Sequence, residues 1–350
     1  MNSTISINSH TISYNSPAYI VAEMSANHNM DLERAKDIIK AAADAGADAI
    51  KLQTYTPDTI TIDSHEPCFM TAKGGLWEGM TLYDLYKKAY TPWVWHAELF
   101  DCAKNEGIDC FSSPFDMTAV DFLQQLDAPA YKIASFEIND IPLIKKVAKT
   151  GKPIIISTGI AYLEDIDLAV RACKEEGNEK VILLKCISAY PAPFSEMNLR
   201  SIPLISDTFD CISGLSDHTL GSEIAIAAVA MGARVIEKHF TLKWSDGGVD
   251  SAFSMEYEEL KDMVKQIRNV ETALGRASFE LNEKQRNARE GSRSLFIVED
   301  IKKGEVFSEK NVRSIRPGNG LHTKYYEEIL GKQARNDYKK GTPLSWGCIE

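Results

Sequence analysis

Apolar and polar positions follow one recurring pattern over most of the chain. A segment with apolar residues at helical spacing ends at a glycine, and a short run of aliphatic residues follows it. The glycines that end such segments are Gly46, Gly107, Gly151, Gly177 and Gly232. Together with the runs AYIVAEM, YKIAS and CISGLS, the pattern predicts eight strands that alternate with helices over about 250 residues, which is typical of a (β/α)8 TIM barrel of the α/β class.

An open, doubly wound parallel sheet is the alternative architecture for such a pattern. In that fold, a glycine-rich turn after the first strand binds the phosphates of a dinucleotide. Here the first strand, AYIVAEM, is followed by SANHN, which contains no glycine. The sequence therefore favours the closed barrel.

The pattern changes near residue 275. Residues 275–292 are charged and poor in hydrophobic residues, as is typical of a connector. Residues 293–350 contain short alternating apolar stretches, two Lys-Lys-Gly turns and an RPGNG loop. We therefore predict a barrel domain over residues 1–274, a linker over 275–292 and a small, mostly β domain over 293–350 with little core of its own.

Composition and charge exclude several kinds of protein. The 350 residues carry a net charge of −11, which argues against nucleic acid or an anionic membrane as the main partner. The seven cysteines form no CxxC pair, and the longest apolar run, IAIAAVAM, is too short to span a bilayer. The polar N-terminus has no apolar signal core, so we expect a cytoplasmic protein without a membrane segment.

Polar side chains lie at the end of every predicted strand, where barrels of this type carry their active sites. They include Glu23, Lys51, Gln53, Ser113, Lys132, Ser135, Glu137, Ser157, Lys185, Ser188 and Ser216. Some of the serines are explained equally well as helix caps. The three lysines are not, because a lysine that ends an apolar strand is costly to bury without an anionic partner. Lysines and hydroxyls that converge there predict a site for phosphate and carboxylate groups.

His218 and His239 follow two successive predicted strands of one β-α-β unit. Because parallel strands end at the same edge, we expect the two imidazoles to lie close together. Two imidazoles with oxygen ligands suit Mn²⁺, Co²⁺, Mg²⁺ or Zn²⁺, and the lack of thiolates argues against a structural zinc. The alternative is that each histidine is a hydrogen-bonded part of the core.

Two predicted loops at the strand ends are long. Residues 54–92, which contain many aromatic residues and glycines, follow the second strand, and residues 188–199 follow the sixth. Loops of this length are more often functional than idle. We expect the first loop to cover the barrel mouth and Tyr190 of the second to reach a substrate. The alternative for the first is a loop without a function.

Several short motifs give the chain a resemblance to a known family. They are AEMSANHN, IKLQTY, FSSPFD, YKIASFEIND, PIIISTG, GLSDHTLG, VIEKHFTL and RPGNGL. The chain resembles the sialic acid synthase family, in which a (β/α)8 barrel is followed by a small antifreeze-like (SAF) domain. The resemblance implies a transferase that condenses phosphoenolpyruvate with an open-chain amino sugar, and a divalent metal cofactor, Mn²⁺ or alternatively Mg²⁺ or Co²⁺.

The same resemblance implies a role for each site residue. The phosphoenolpyruvate contacts are Lys51, Ser113, Lys132, Ser135, Ser157 and Ser216, and the sugar contacts are Gln53, Glu137, Ser188, Tyr190, Asp250 and Arg316. Glu23, Lys51 and Lys132 are expected at the reacting centre, and His218 and His239 as metal ligands. The resemblance also implies a domain-swapped homodimer in which Arg316 of one subunit enters the active site of the other.

The segment SDGGVDSAFS, residues 245–254, indicates one branch of the family. N-acetylneuraminate synthases carry a PGPDH-type loop there and an asparagine in place of Ser188. The segment is similar to that of pseudaminic acid synthases, whose acceptor is 2,4-diacetamido-2,4,6-trideoxy-L-altrose, and this predicts pseudaminic acid and phosphate as products. The alternatives are an N-acetylneuraminate or legionaminate synthase, a Schiff-base aldolase that uses Lys132 or Lys185, and a non-catalytic sugar-binding protein.

Overall fold

The first part of the chain folds as a closed barrel of parallel strands. The computed structural model describes residues 4–74 and 77–350, and it divides the chain into two compact units between Gly275 and Arg276. The first unit contains an eight-stranded barrel, which confirms the predicted architecture. Gly75 and Leu76 of the long loop after the second barrel strand lie outside the described residues.

A short antiparallel hairpin precedes the barrel. Its strands are β1 (Ile5–Ile7) and β2 (His10–Ile12). The barrel strands are β3 (Tyr19–Glu23), β4 (Ala49–Thr54), β5 (Asp109–Pro114), β6 (Tyr131–Ile133), β7 (Ile154–Ser157), β8 (Val181–Cys186), β9 (Ile212–Asp217) and β10 (Val235–His239). Each pairs in parallel with the next in chain order, and β10 pairs with β3 to close the barrel.

The hairpin closes the N-terminal end of the barrel. Its isoleucines are buried in one cluster with residues at the start of the barrel strands. Asp109, the first residue of β5, accepts hydrogen bonds from Asn8 Nδ2 at 2.6 Å and from the Tyr19 hydroxyl at 2.7 Å. The polar N-terminal residues thus fasten the hairpin to the barrel, a contact that the sequence pattern did not predict.

Each barrel strand is followed by at least one helix. The helices are α1 (Leu32–Asp44), α2 (Pro57–Ile60), α3 (Leu82–Ala89), α4 (His96–Glu106), α5 (Met117–Gln125), α6 (Ile141–Ala148), α7 (Leu163–Glu175), α8 (Ser201–Phe209), α9 (Glu223–Ala230) and α10 (Tyr257–Leu274). Gly232 follows α9 with a φ angle of 102°, as its position in the sequence predicts. α9 begins later than the predicted start at Thr219, because the Thr219 N–H first bonds to the Asp217 side chain at 2.9 Å. In residues 4–74 and 77–350, no helix combines the length and the apolar character needed to cross a membrane.

Both faces of the barrel strands are buried. α1, for example, buries Ala35, Ile38, Ile39 and Ala42, whose spacing of three or four residues places them on one helix face. They form one cluster with Ile20 and other residues on the outer face of the strands. Because the inner face is also packed, the strands are apolar almost throughout, and the polar residues at their C-terminal ends are the exception.

The second unit has a small core of its own, although we expected little core there. It contains α11 (Glu283–Ala288), the antiparallel strands β11 (Ser294–Ile297) and β12 (Val312–Ile315), and α12 (Tyr326–Ile329). Its buried cluster consists of Leu295, Ile297, Ile301, Phe307, Val312, Ile329, Ala334, Leu344, Cys348 and Ile349. Further antiparallel pairings in this unit are isolated bridges.

Two buried histidines predict that the protein loses stability in mild acid. Burial lowers the pKa of His28 and of His96 to about 4, whereas the ordinary value in an unfolded chain is about 6.5. His28 Nδ1 accepts a hydrogen bond from the Met30 N–H at 3.1 Å, which requires the unprotonated nitrogen. As the pH falls from about 6.5 toward 4, the unfolded chain binds protons that the folded chain does not, so the free energy of unfolding decreases, by about 1 kcal/mol per histidine near pH 5.5.

The measurement is denaturant-induced unfolding at about pH 7.5 and about pH 5.5. We expect His96→Gln to reduce the difference between the two free energies of unfolding by about 1 kcal/mol. His65 is exposed, so His65→Gln is the matched control and should leave the difference unchanged. An equal pH dependence in the wild type and in His96→Gln would contradict the prediction.

Candidate active site

Neighbouring strands bring their last residues together at the C-terminal end of the barrel. Glu23 lies opposite Lys51 in one neighbouring strand and opposite His239 in the other. Glu237 lies opposite Ser216, whose hydroxyl donates to Glu237 Oε1 at 2.8 Å. Alternate residues of a strand face the same way, so Glu237 and His239 both point into the barrel.

Two lysines and two carboxylates form the buried centre of the site. Lys51 Nζ lies 2.5 Å from Glu23 Oε2 and 3.7 Å from Glu237 Oε2, and it donates to Ser113 Oγ at 3.3 Å. Lys132 Nζ lies 3.5 Å from Glu237 Oε1. Each of the four charged side chains is at most 7% exposed, so their charges are held out of water and interact strongly.

Burial and neighbouring charges give the two carboxyl groups different pKa values. Burial raises the pKa of Glu23 to about 7, although Lys51 acts against this shift. Burial also acts to raise the pKa of Glu237, but Lys132 and Lys51 outweigh it and hold that pKa below its ordinary value. Glu23 is partly protonated at neutral pH, so the two carboxyl groups together carry less than two negative charges. They do not neutralise Lys51 and Lys132 fully, and the cluster therefore favours an anionic ligand.

Hydroxyl groups without partners lie next to this cluster. Ser135 Oγ accepts a hydrogen bond from the Gly159 N–H at 3.1 Å. A Cβ atom at Gly159 would lie 2.6 Å from Ser135 Oγ and even closer to Ser188 Oγ, so only glycine fits there. Within the described chain, the buried hydroxyls of Ser157 and Ser188 have no hydrogen-bond partner. A buried hydroxyl without a partner is costly, so both are available to a bound ligand.

His218 and His239 lie beside the lysine cluster, with their ring centroids 5.3 Å apart. His218 Nδ1 lies 2.8 Å from the Ile187 carbonyl oxygen and donates to it, which leaves the lone pair of Nε2 for a ligand. His239 Nδ1 is buried and has no hydrogen-bond partner among the residues described. Burial, and then the positive charges around it, keep the pKa of His239 well below its ordinary value, so this ring is neutral, as metal binding requires.

These features fit a divalent metal ion with two nitrogen ligands. In the described part of the chain, no group of three or more His, Cys, Asp or Glu side chains is arranged to bind a metal, so water or substrate oxygens would fill the remaining positions. Burial lowers the pKa of His218, but the Cys186 thiol, 3.9 Å from Nδ1, outweighs this and raises it above its ordinary value. A proton and a metal ion compete for the Nε2 lone pair of His218, so metal binding is favoured as the pH rises.

A chain of hydrogen bonds connects Glu23 with the segment that follows β10. Gln53 Nε2 donates to Glu23 Oε1 and to Ser25 Oγ, both at 3.0 Å. Ser25 Oγ in turn donates to Asp250 Oδ2. Burial raises the pKa of Asp250. The predicted sugar contacts Gln53 and Asp250 are thus joined to the predicted catalytic carboxylate.

Aromatic rings and one further acid border the mouth. The ring centroid of Tyr190 lies 4.4 Å from that of His218, and the ring centroid of Phe253 lies 4.9 Å from that of His239. Burial raises the pKa of Glu137 to about 7, against the opposing effect of the nearby lysine cluster. Its Oε2 has no hydrogen-bond partner in the residues that the structure describes, so Glu137 can bond to a hydroxyl or amide of a ligand.

Known protein families match both units of the chain. Residues 38–279 match the NeuB family, and residues 292–350 match the SAF domain. The chain belongs to the NeuB family. Solved NeuB-like structures are similar along their whole length. SpsE, the spore coat polysaccharide biosynthesis protein of Bacillus subtilis, is 32% identical, with a TM-score of 0.68 and 99% of both chains covered. N-acetylneuraminic acid synthetase from Leptospira borgpetersenii is 31% identical, with a TM-score of 0.74 and 82% of this chain and 95% of that chain covered.

Curated relatives of this NeuB-family chain cover nearly all of it. It is 50% identical to pseudaminic acid synthase from Campylobacter jejuni, over 95% of this chain and 96% of that protein. It is 47% identical to pseudaminic acid synthase from Helicobacter pylori, over 95% of this chain and 98% of that protein. It is 40% identical to N,N'-diacetyllegionaminic acid synthase from Campylobacter jejuni, over 92% of this chain and 97% of that protein.

The side chain of Lys185 points away from the interior of the NeuB barrel, so one of the three predicted strand-end lysines is not part of the site. Leu184 belongs to the interior cluster, and the next residue of the strand therefore points outward. Lys185 Nζ donates to the Cys186 carbonyl at 3.2 Å and lines an outer cavity of about 610 Å³. Asp217 and Lys238, which are next to the two histidines in the sequence, also face outward and form a buried ion pair of 2.8 Å.

Glu237 is the member of the NeuB site that the sequence analysis did not assign. It is the carboxylate that both Lys51 and Lys132 approach. One signal for it was present in the sequence. Glu237 precedes His239 by two residues on the same predicted strand, and residues at this spacing share a face.

Arg316 lies in the second unit, apart from the other predicted site residues in chain order. It follows β12 and is exposed in that unit. Its predicted entry into the active site of a partner subunit stays a prediction. The remaining predicted site residues all belong to the NeuB barrel unit.

Proposed function

We propose that this chain condenses phosphoenolpyruvate with open-chain 2,4-diacetamido-2,4,6-trideoxy-L-altrose and releases pseudaminic acid and inorganic phosphate. The observation that carries the proposal is the pair of buried lysines, Lys51 and Lys132, beside the two histidines at one barrel mouth. The lysines suit a small substrate with phosphate and carboxylate groups, and the histidines suit a metal that polarises an aldehyde. The choice of acceptor is supported by 50% and 47% identity to pseudaminic acid synthases, against 40% to a diacetyllegionaminic acid synthase.

Phosphoenolpyruvate would be held by its charged groups. Lys51 and Lys132 lie on separate strands, so each would contribute an ammonium group to the phosphate or the carboxylate. The free hydroxyl of Ser157 would add a hydrogen bond. We propose the same for three further hydroxyls: Ser113, which accepts from Lys51, Ser216, which donates to Glu237, and Ser135, which accepts from the Gly159 N–H. Correct orientation of two reactants contributes about 7 to 11 kcal/mol in favourable cases.

His218 and His239 would hold a divalent ion, for which we propose Mn²⁺, with Mg²⁺ or Co²⁺ as the alternatives. When bound, such an ion supplies a Lewis acid for the aldehyde oxygen of the sugar. Tyr190, Gln53 and Asp250 border the histidines and Glu23, and would orient the hydroxyl and acetamido groups of the sugar.

The bond changes follow from the two substrates. Carbon 3 of phosphoenolpyruvate attacks the aldehyde carbon, and an oxocarbenium centre forms at carbon 2. Water adds to carbon 2 and gives a proton to the former aldehyde oxygen. The C–O bond to phosphate then breaks, the remaining hydroxyl proton at carbon 2 passes to the leaving phosphate, and a ketone forms at carbon 2. Glu23, with its pKa raised to about 7 by burial, is suited to move the proton from water to the former aldehyde oxygen.

A Schiff-base aldolase on the same barrel was the main rival from another reaction class. It needs a lysine with a free neutral amine in the mouth. Lys185 faces away from the barrel interior, and Lys132 is engaged by Glu237 at 3.5 Å. Borohydride trapping with substrate separates the two reactions, since it modifies only a Schiff base.

We also propose a domain-swapped homodimer in which Arg316 of one copy completes the active site of the other. The support is the resemblance of RPGNGL, which contains Arg316, to the SAF motif of the family, and the exposure of this residue in its own unit. We propose a cytoplasmic location on separate grounds. All seven cysteines are free, as is usual in a reducing compartment.

The test of the proposed function is phosphate release from phosphoenolpyruvate with three acceptors offered separately. They are the altrose-derived diacetamido sugar, N-acetylmannosamine and 2,4-diacetamido-2,4,6-trideoxymannose. We expect kcat/KM for the first to exceed the others by at least about 10²-fold, because acetamido and hydroxyl groups in the wrong position leave buried polar groups unpaired. Release with only one of the two manno sugars would indicate an N-acetylneuraminate or legionaminate synthase instead. No release with any of the three would reject the synthase and leave the Schiff-base aldolase, which borohydride trapping tests, and the non-catalytic sugar-binding protein.

A further inference from the structure

The segment after β10, residues 245–254, is held by its own hydrogen bonds mainly in its second half, where Ser254 Oγ donates to the Asp250 carbonyl at 2.6 Å. It contains Gly247 and Gly248, whose φ angles are 69° and 124°. Glycine has more backbone freedom than any other residue, so this part of the chain does not determine its own course. Yet the segment carries Asp250 and Phe253, which contact the hydrogen-bond chain and the histidine pair described above. Contacts from elsewhere hold the glycine pair and the residues around it.

The chain that follows β3 holds one side of the segment. Arg34 Nη1 lies 2.6 Å from Asp246 Oδ2. Asn29 Nδ2 donates to the carbonyl oxygens of Asp246 and Gly247 at 3.2 Å and 3.3 Å. These contacts fix Asp246 and Gly247, which precede Gly248 in the segment.

The long insertion after β4 holds the other side. Trp77 Nε1 donates to the carbonyl oxygen of Val249 at 3.1 Å, and this carbonyl directly precedes Asp250. Trp77 is itself fixed, because Thr71 Oγ1 donates to the Trp77 carbonyl at 2.6 Å. One indole N–H therefore joins the insertion to the part of the segment that carries the predicted sugar contact.

We propose that Trp77 is a positioning residue that helps to decide which sugar the enzyme accepts. By fixing the Val249 carbonyl, the indole fixes the direction in which Asp250 leaves the backbone, and with it the shape of the acceptor half of the site. The phosphoenolpyruvate half rests on lysines within strands and does not depend on this contact. The inference rests on the proposed function and extends it, since it assigns acceptor selectivity to the insertion as well as to residues 245–254.

The first test compares two conservative substitutions, Trp77→Phe and the control Trp93→Phe. Trp77→Phe keeps an aromatic ring and removes the N–H donor. We expect KM for the altrose acceptor to rise by about 3- to 10-fold, which is the effect of one lost hydrogen bond. KM for phosphoenolpyruvate stays unchanged, and the preference for the altrose sugar over N-acetylmannosamine falls by a similar factor. A loss of kcat alone, with both KM values and the preference unchanged, overturns the proposal.

Trp93, the first residue after the insertion, supplies the matched control. Trp93 Nε1 donates to the Tyr55 carbonyl at 3.1 Å, and its ring stacks on Phe122 at a centroid distance of 4.8 Å. Trp93→Phe therefore loses the same kind of bond without touching residues 245–254. We expect it to keep the acceptor preference of the wild type, and an equal loss of preference in both variants overturns a specific role of Trp77.

Hydrogen–deuterium exchange on the three proteins tests the contact without turnover. Peptides that cover residues 245–254 should exchange faster in Trp77→Phe than in the wild type or in Trp93→Phe. Unchanged exchange in Trp77→Phe overturns the positioning role. Faster exchange with an unchanged acceptor preference overturns the role of Trp77 in the choice of sugar. If the wild type releases no phosphate with any acceptor, the proposed function fails together with the role in acceptor choice, and the exchange still decides the contact.

Discussion

Lys132→Met should lower kcat/KM for phosphoenolpyruvate by about 10²- to 10³-fold while the barrel stays folded. The side chain is 2% exposed, and its ammonium group lies 3.5 Å from Glu237 Oε1. Methionine has a similar length and fills the space, but it offers no charge to an anionic substrate. Because the site is buried, water cannot replace the lost charge, and the effect is larger than at a surface.

Lys185→Met is the matched control for this experiment. Both lysines lie near the ends of apolar barrel strands, and they differ in that Lys185 faces outward. We expect its kcat/KM to stay within about 2-fold of the wild type, because surface substitutions away from a site have small effects. Steady-state phosphate release and thermal unfolding of both variants make the comparison. Full activity in Lys132→Met, or an equal loss in both variants, would show that the anion site lies elsewhere.

Removal of the divalent metal should lower turnover by at least about 10³-fold, since a Lewis acid contributes several kcal/mol. The prediction is that dialysis against a chelator stops phosphate release and that added Mn²⁺ restores it. His239→Ala should abolish both turnover and bound Mn²⁺, because it leaves a single imidazole at the site. Bound Mn²⁺ per chain, measured by elemental analysis, reports on the site independently of turnover.

His96→Gln is the control for loss of a buried histidine. His96 is fully buried, but its Nε2 pairs with the Thr54 hydroxyl at 2.9 Å, away from His218 and His239. This variant should keep both its Mn²⁺ and its turnover. Turnover by demonstrably metal-free wild type, or full Mn²⁺ content in His239→Ala, would refute the assignment of the ligands.

Much of the site could be predicted because it depends on spacing alone. The repeat of helix, glycine and strand places Lys51, Lys132, His218 and His239 at strand ends, and parallel strands in a barrel end at one face. The structure brings these four side chains together as expected. Barrel closure required no information beyond the number and order of the elements, because a right-handed β-α-β repeat of this length has few other arrangements.

The direction of individual side chains was a harder problem. The strand VILLKC is apolar on both faces, since helices cover one face and the barrel core the other. No alternation of polar and apolar residues shows which way Lys185 points, so we counted it among the strand-end lysines without deciding whether it belongs to the site. In VIEKHF the inward residue, Glu237, and the outward residue, Lys238, are both buried and both charged. Their partners, Lys132 and Asp217, distinguish them in the structure, and in the sequence the only guide is the two-residue spacing of Glu237 from His239.

The sequence by itself determined the order of the elements, the family and the set of groups at the strand ends, because these follow from local periodicity and from short motifs. Tertiary structure decided which of the strand-end groups lie together in the site at the barrel mouth. It also decided that the N-terminal hairpin closes the barrel and that Trp77 holds Val249. Such contacts join residues that are distant in sequence, and their energies depend on burial and charge that exist only after the barrel has closed.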